Sequence, residues 1–299
     1  MNALVVKNLT VSFMMYERGF RRRPLRVISD LNISVREGEI IAVVGGSGSG
    51  KSLLAHAILG ILPKNAVTDG EITWFDAPLT PELQQKLRGN GLSLVPQSVT
   101  YLDPLMRVGK QISKDKKIAV SALEKYGLGE GVAKFFPFEL SGGMARRALV
   151  ATADAANAKV IIADEPTPGL SEGLARSAMA SFRELADSGT AILLITHDID
   201  LAVRFADRIA VFYAGTTVET ADASDFSDES LLRHPYSRAL WRAMPQNGFS
   251  PTPGTQPYAG NLPPGCPYAP RCPLKTDECE KAQISRTVRN GEVSCCHAN

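Results

Sequence analysis

The stretch EIIAVVGGSGSGKSLLAHAIL, residues 39–59, constrains this chain more than any other. Glycines at 45, 46, 48 and 50 make both helix and strand unfavourable there, because glycine loses the most backbone freedom on ordering. An apolar run precedes them and another follows. The first run lacks alternation, as in a strand buried on both faces of a parallel sheet. The second reads as a helix, so the order is strand, tight loop, helix. GGSGSGKS, 45–52, fits G-x-x-x-x-G-K-[ST] in that context. Glycines let the main chain wrap round phosphate oxygens with N–H groups pointing inward, and the helix start adds its positive dipole end. Gly45, Gly46, Ser47, Gly48, Ser49, Gly50 and Lys51 are therefore expected to hold a nucleoside triphosphate, with Lys51 at the β- and γ-phosphates and Ser52 ligating Mg²⁺.

Two more apolar runs, 159–164 and 190–196, read as parallel strands, and helical patterns cover 53–62, 143–156 and 173–188. Strands alternating with helices predict an α/β fold with a mainly parallel sheet. Residues 4–13 and 27–36 alternate as strands of an N-terminal antiparallel part. The basic segment RGFRRRPLR, 18–26, reads as a solvated hairpin tip, and 207–221 as a hairpin. Asp164 ends one apolar strand, where open α/β sheets bind ligands; it is expected to hold Mg²⁺ through water. Glu165 beside it would polarise an attacking water. Two adjacent carboxylates at the end of an apolar strand are costly without a cation nearby. His197 follows the next strand and is expected near the γ-phosphate.

The composition is that of an ordinary soluble globular protein: 44% hydrophobic, 21% charged, formal net charge +2 over 299 residues. That near-neutral balance gives no argument for nucleic acid. No stretch reaches the roughly 18–20 apolar residues that would span a bilayer. The N-terminus reads as a strand rather than a signal peptide, so membrane association is expected to come through a partner. Residues 98–140 are mixed and partly helical, and read as a small inserted helical subdomain. From about 245 the chain is rich in Pro and Gly, a linker by composition. All five cysteines follow it, spaced C-x₅-C-x₆-C from Cys266 through Cys272 to Cys279, then the tandem Cys295 and Cys296. Disulfides are disfavoured in a cytosolic chain, so metal ligation is the natural reading; zinc and a [4Fe–4S] cluster both take four thiolates.

LSGGM (140–144), joined with the phosphate loop, Gln97 in LSLVPQ, IIADEPT and ITHD, closely resembles the ATP-binding cassette (ABC) family over roughly residues 1–235. The resemblance implies an ABC-type nucleotide-binding domain over 1–235, its helical subdomain at about 98–140, and a cysteine-rich extension over 236–299. It implies that two cassettes pair head to tail, so that Ser141, Gly142 and Gly143 touch the partner's ATP. It implies that Gln97 senses Mg²⁺ and the attacking water, that Glu165 and His197 are catalytic, and that Phe13 stacks on adenine; Tyr16 is the lesser candidate. The cassette would be an ATPase coupled to transport. Its partners would be a second ABC ATPase, two membrane permease subunits and an extracytoplasmic substrate-binding protein. It would sit peripherally on the cytoplasmic face of the inner membrane. A soluble, non-transport ABC ATPase is the rival class.

The sequence departs from the family in parts that face the partner. Ser171 replaces the aspartate that communicates across the pair, Met144 a usual glutamine, and Ala145 precedes Arg146 and Arg147 in place of the usual polar run. An asymmetric pairing with a paralogue follows as an expectation. HPYSRAL (234–240) and PPGCPYAPRCPLKTDEC (263–279) resemble the C-terminal extension of the oligopeptide/dipeptide/nickel permease ATPases. That narrower resemblance implies an iron–sulfur cluster on Cys266, Cys272, Cys279 and Cys296, with Cys295 as the alternative fourth ligand. The cargo stays open between peptides, nickel and metal chelates, with a slight lean to nickel or a chelate from GGSGSGKS and LGILP.

Overall fold

The computed structural model describes residues 1–18 and 21–298. In chain order it holds β1 (Asn2–Arg18), β2 (Arg21–Arg36), β3 (Ile40–Gly45), α1 (Lys51–Leu59), β4 (Ala66–Trp74), β5 (Ala77–Pro78), α2 (Pro81–Leu87), β6 (Leu92–Val95), α3 (Val108–Ile112) and α4 (Lys116–Lys125). There follow α5 (Gly142–Ala155), β7 (Val160–Asp164), α6 (Glu172–Asp187), β8 (Ala191–Ile195), α7 (Ile199–Phe205), β9 (Arg208–Tyr213), β10 (Thr216–Asp222), α8 (Pro235–Arg242), β11 (Arg286–Val288) and β12 (Gly291–Val293). Two compact units form. The first gathers Met1, Val35–Ile40 and Thr80–Ile195; the second gathers Asn2–Ser34, Ile41–Leu79 and Thr196–Asn299.

In the first unit, β6, β7 and β8 run parallel, with β7 in the middle. Every residue of β7 and β8 is buried, which is why neither alternates. Helix α6 is amphipathic: Ala175, Ala178, Met179, Phe182 and Ala186 are buried at helical spacing. Between β6 and α5 the chain forms α3, α4 and short 3₁₀ turns. Asp115 caps α4 by accepting the N–H groups of Lys117 and Ile118. Helix α5 starts at Gly142, two residues after Leu140, with Ser141 as its cap.

In the second unit, β1 pairs antiparallel with β4, and β4 with β5. The other sheet portion runs β11-β12-β10-β9-β3, with β3 and β9 parallel and the rest antiparallel. Residues 21–26, expected as part of a hairpin tip, continue β2; residues 19–20 of that segment lie outside the described residues. The Pro/Gly-rich stretch after 245 forms only isolated 3₁₀ turns, as its composition predicts. The tail then adds β11 and β12 to the edge of β10, an extension that cysteine spacing does not foretell.

Candidate functional site

In the second unit, β3 carries the glycine loop directly onto α1. The strand is entirely buried and its register with β9 places Gly45 beside Phe212. A Cβ at Gly45 would lie 2.2 Å from the Phe212 carbonyl oxygen, so only glycine fits. Gly48 and Gly50 take positive φ, 76° and 93°, the left-handed region that glycine enters without steric cost. Gly50 is the cap residue of α1 and makes no side-chain cap, leaving the first helical N–H groups for an anion. The Lys51 ammonium donates to the carbonyls of Gly45 at 2.9 Å and Gly46 at 3.0 Å. Ser49 is fully buried, Ser52 is half-buried, and Ser47 and Gly48 are exposed.

The Gly46 N–H donates to the Tyr236 hydroxyl at 3.2 Å. Phe13, on β1 opposite Ala66, is half-buried. Tyr16 is exposed, with the Arg22 guanidinium over its ring at 5.0 Å. His197 is exposed. Its neighbour Thr196 donates its N–H to Val43 at 3.1 Å, which sets His197 beside the end of β3 that leads into the glycine loop. Asp198 then caps α7 through the Leu201 N–H.

In the first unit, Asp164 and Glu165 are both buried at the C-terminal end of β7. Glu165 has φ 50°, uncommon for a residue with a Cβ, and its N–H is held by the Ile195 carbonyl at 2.9 Å. Arg146 joins two of the expected site residues. Its guanidinium donates to the backbone carbonyl of Glu165 at 2.7 Å and to that of Gln97 at 2.9 Å. Burial lowers the Arg146 pKa, and the Glu165 charge opposes that shift. Neither Arg146 nor Tyr236 was assigned a place at the site from the sequence. The arginine stood out only as a departure in the segment after the signature, and the tyrosine only inside a tail motif. Ser141 and Gly142 are exposed at the start of the fourteen-residue α5, where the Ser141 hydroxyl accepts the Met144 N–H at 3.3 Å. Ser171 is the cap position of α6 and makes no side-chain cap.

The cysteines gather in the tail of the second unit. Cys266, Cys279 and Cys295 are buried, Cys272 is half-buried and Cys296 exposed. Burial above all, with smaller contributions from charge at Cys295 and Cys272, pushes the Cys266 thiol up to about 11. Cys272 and Cys295 are also raised, first by burial and then by neighbouring cysteine charge, Cys279 included. The Cys279 Sγ lies 3.7 Å from the Cys296 Sγ and 3.5 Å from the His297 Nε2. Thiols crowded in this way become thiolates together only when a cation offsets their repulsion.

A strand–glycine-loop–helix cradle with a buried lysine over it, and a strand ending in two buried acids, define a nucleoside-triphosphatase of the phosphate-loop class. The ABC transporter family profile matches residues 28–168, and the oligopeptide/dipeptide transporter C-terminal region matches 218–279. The oligopeptide transport ATP-binding protein AppD of Bacillus subtilis is 34% identical over 98% of this chain and 95% of its own length. The dipeptide transport ATP-binding protein DppD of Escherichia coli is 32% identical over 99% and 97%. A solved dimeric ATP-binding cassette in a post-hydrolysis state bound to ADP and Pi superposes with TM-score 0.65 at 26% identity, over 74% of this chain and 98% of that one. The chain belongs to the ABC transporter ATP-binding proteins, in the group that carries the oligopeptide/dipeptide transporter C-terminal region. Its activity is ATP hydrolysis coupled to transport.

Proposed function

We propose that this chain powers peptide uptake as one of two cassettes bound to membrane permease subunits on the cytoplasmic face of the membrane. The observation that carries the reading is the glycine loop capping α1 with Lys51 folded over it, in one chain with the tail matched to oligopeptide/dipeptide transporters. Among the described residues no helix is long and apolar enough to cross a membrane, so the path through the bilayer belongs to other subunits. Leu105 and Phe138 of the helical insert are 88% and 74% exposed. Such apolar residues at the surface suit a docking face for those subunits. The sampled relatives are named for oligopeptide or dipeptide transport, so peptides take precedence over nickel and metal chelates as cargo. A substrate-binding protein outside the membrane would choose among them.

The residues take these roles in the proposed cycle. The amides of the 45–50 loop other than that of Gly46, together with Lys51, grip the β- and γ-phosphates. Ser52, Asp164 and Gln97 would hold Mg²⁺, which neutralises phosphate charge when bound; the buried Asp164 carboxylate is the donor that most needs such a cation. Phe13 packs on the base. Glu165 takes a proton from water as its oxygen bonds to the γ-phosphorus. The bond to the β–γ bridging oxygen breaks, and its electron pair leaves with ADP. His197 holds the γ-phosphate. Ser141, Gly142 and Gly143, at the head of α5 with the first two exposed, meet the ATP of the second cassette. Ser171, where the family carries an aspartate, favours a paralogue in that position.

In the tail, the gathering of the cysteines, with the Cys279 Sγ 3.7 Å from that of Cys296, supports a thiolate-bound iron–sulfur cluster on Cys266, Cys272, Cys279 and Cys296, with Cys295 as the alternative fourth ligand, that staples a core-poor segment.

The decisive experiment expresses the chain with and without its two permease subunits. Retention by those subunits, ATP turnover, and loss of nucleotide binding in Lys51→Ala are expected. A chain that neither binds nor splits ATP overturns the reading. Anaerobic purification with iron and acid-labile sulfide assays tests the cluster; zinc at one per chain without iron would remove it.

A further inference from the structure

The phosphate loop is held from behind by the C-terminal extension. The Gly46 N–H donates to the hydroxyl of Tyr236, 190 residues later. An N–H spent in this way is not free for phosphate, so Gly46 anchors the loop instead. The buried Tyr236 ring sits at the start of α8 and packs on Tyr213 at 4.5 Å and on Tyr268 at 5.3 Å between ring centroids. Tyr213 ends β9, the strand paired to β3. Tyr268 stands between Cys266 and Cys272, and is itself buried against His234 and Tyr213. Arg271 of the same segment donates to the Tyr213 hydroxyl at 3.2 Å. His234 caps α8 by accepting the Tyr236 N–H at 3.0 Å, and its other ring nitrogen lies 4.0 Å from the Cys266 Sγ. A second tail residue, Gln256, brings its buried Oε1 to the same glycine: a Cβ at Gly46 would lie 3.6 Å from it and 3.7 Å from the Tyr236 oxygen.

We propose that Tyr236 is a positioning residue of the nucleotide site, fixing the first turn of the phosphate loop through the Gly46 amide, and that its ring stack makes the loop answer to the cysteine-rich segment. The inference rests on the nucleotide-binding reading above. The physical logic is preorganisation. Loop amides bind phosphate well only when they already converge on it, and ordering them at the moment of binding costs affinity. An anchor at Gly46 removes part of that cost before ATP arrives. The anchor's own position is set by aromatic packing, whose geometry is directional. A shift of the segment between Cys266 and Cys272 therefore moves the Tyr236 hydroxyl rather than dissipating in a loop.

Tyr236→Phe keeps the ring and removes the hydroxyl. In the full chain, the dissociation constant for a fluorescent ATP analogue is expected to rise about fivefold, the worth of one neutral hydrogen bond. The turnover rate at saturating ATP is expected to change less than about twofold, since an anchor acts on binding rather than on the reacting atoms. Tyr268→Leu should weaken binding about twofold to threefold in the parent chain and have no further effect beside Tyr236→Phe, because coupled neighbours are non-additive. Parent-like affinity in a folded Tyr236→Phe, or fully additive effects in the double variant, overturns the proposal. If Tyr236→Phe does not fold, amide exchange at Gly46 in the parent chain decides: protection supports the anchor, and exchange at the rate of an exposed amide refutes it. A parent chain that binds no nucleotide at all would instead refute the nucleotide-binding reading.

Discussion

Arg233 offers the sharpest test of what attaches the tail to the cassette. Its side chain is only 2% exposed and lies against Glu219, which is fully buried, and Asp225. The guanidinium reaches Glu219 at 3.3 Å and Asp225 at 2.8 Å, and donates through Nε to the Val288 carbonyl of β11 at 2.7 Å. Glu219 also accepts the backbone N–H groups of Arg233 at 2.9 Å and His234 at 2.8 Å. Arg233→Met keeps an apolar stem but strands the Glu219 charge and frees the Val288 carbonyl. Removing one member of a buried pair costs about 3–5 kcal/mol. At about 2–4 °C per kcal/mol for a chain of this size, the midpoint should fall by roughly 6–20 °C. Asp225→Asn acts on a more exposed arm and should cost about 1 kcal/mol. Glu219→Leu orphans two backbone N–H groups as well as the arginine, so it should be worse than Arg233→Met. Scanning calorimetry gives the order, and hydrogen exchange over 286–293 should show the β11–β12 hairpin released first. A midpoint for Arg233→Met within 2 °C of the parent, or Glu219→Leu being the milder change, would refute the reasoning.

Three other outcomes follow from the same geometry. His234 is buried and its pKa falls from 6.5 to about 3. The unfolded chain therefore binds the extra proton between those values, and stability present above pH 6.5 is lost as pH drops toward 3, by up to about 1.4 kcal/mol per unit. His234→Asn keeps a cap acceptor for Tyr236 and should flatten that part of the slope in urea melts at pH 7.5, 6 and 5; an unchanged slope would contradict it. Gly45→Ala drives a methyl into the Phe212 carbonyl, so nucleotide binding and melting temperature should both drop, and a variant with parent values for both would discount the clash. Glu165→Gln should retain ATP while slowing turnover about 100-fold or more, measured by filter binding and phosphate release.

Much of the site was legible because its determinants are local. The glycine loop needs positive φ at Gly48 and Gly50 and a close approach at Gly45, and only glycine tolerates these, so the residue type announces the backbone. The buried parallel strands β3, β7 and β8 announce themselves by unbroken apolar runs. Their C-terminal ends carry Gly45, Asp164 and, two residues beyond β8, His197. The short strands β5, β11 and β12 and the largely exposed β4 gave no such signal. A strand of two or three residues has no period, and β4 mixes polar and apolar positions.

What the sequence determined by itself is the chemistry that chain neighbours can express: a triphosphate cradle, acids at a strand end, a signature at a helix start, thiols enough for a metal. What only tertiary structure decided is which distant groups support them. Arg146 ties the backbones of Gln97 and Glu165 together, Arg233 clamps β11 to β10, and Tyr236 reaches back to Gly46. Each acts through hydrogen bonds to backbone atoms, which every residue type carries, so no residue identity at the receiving end records the partnership.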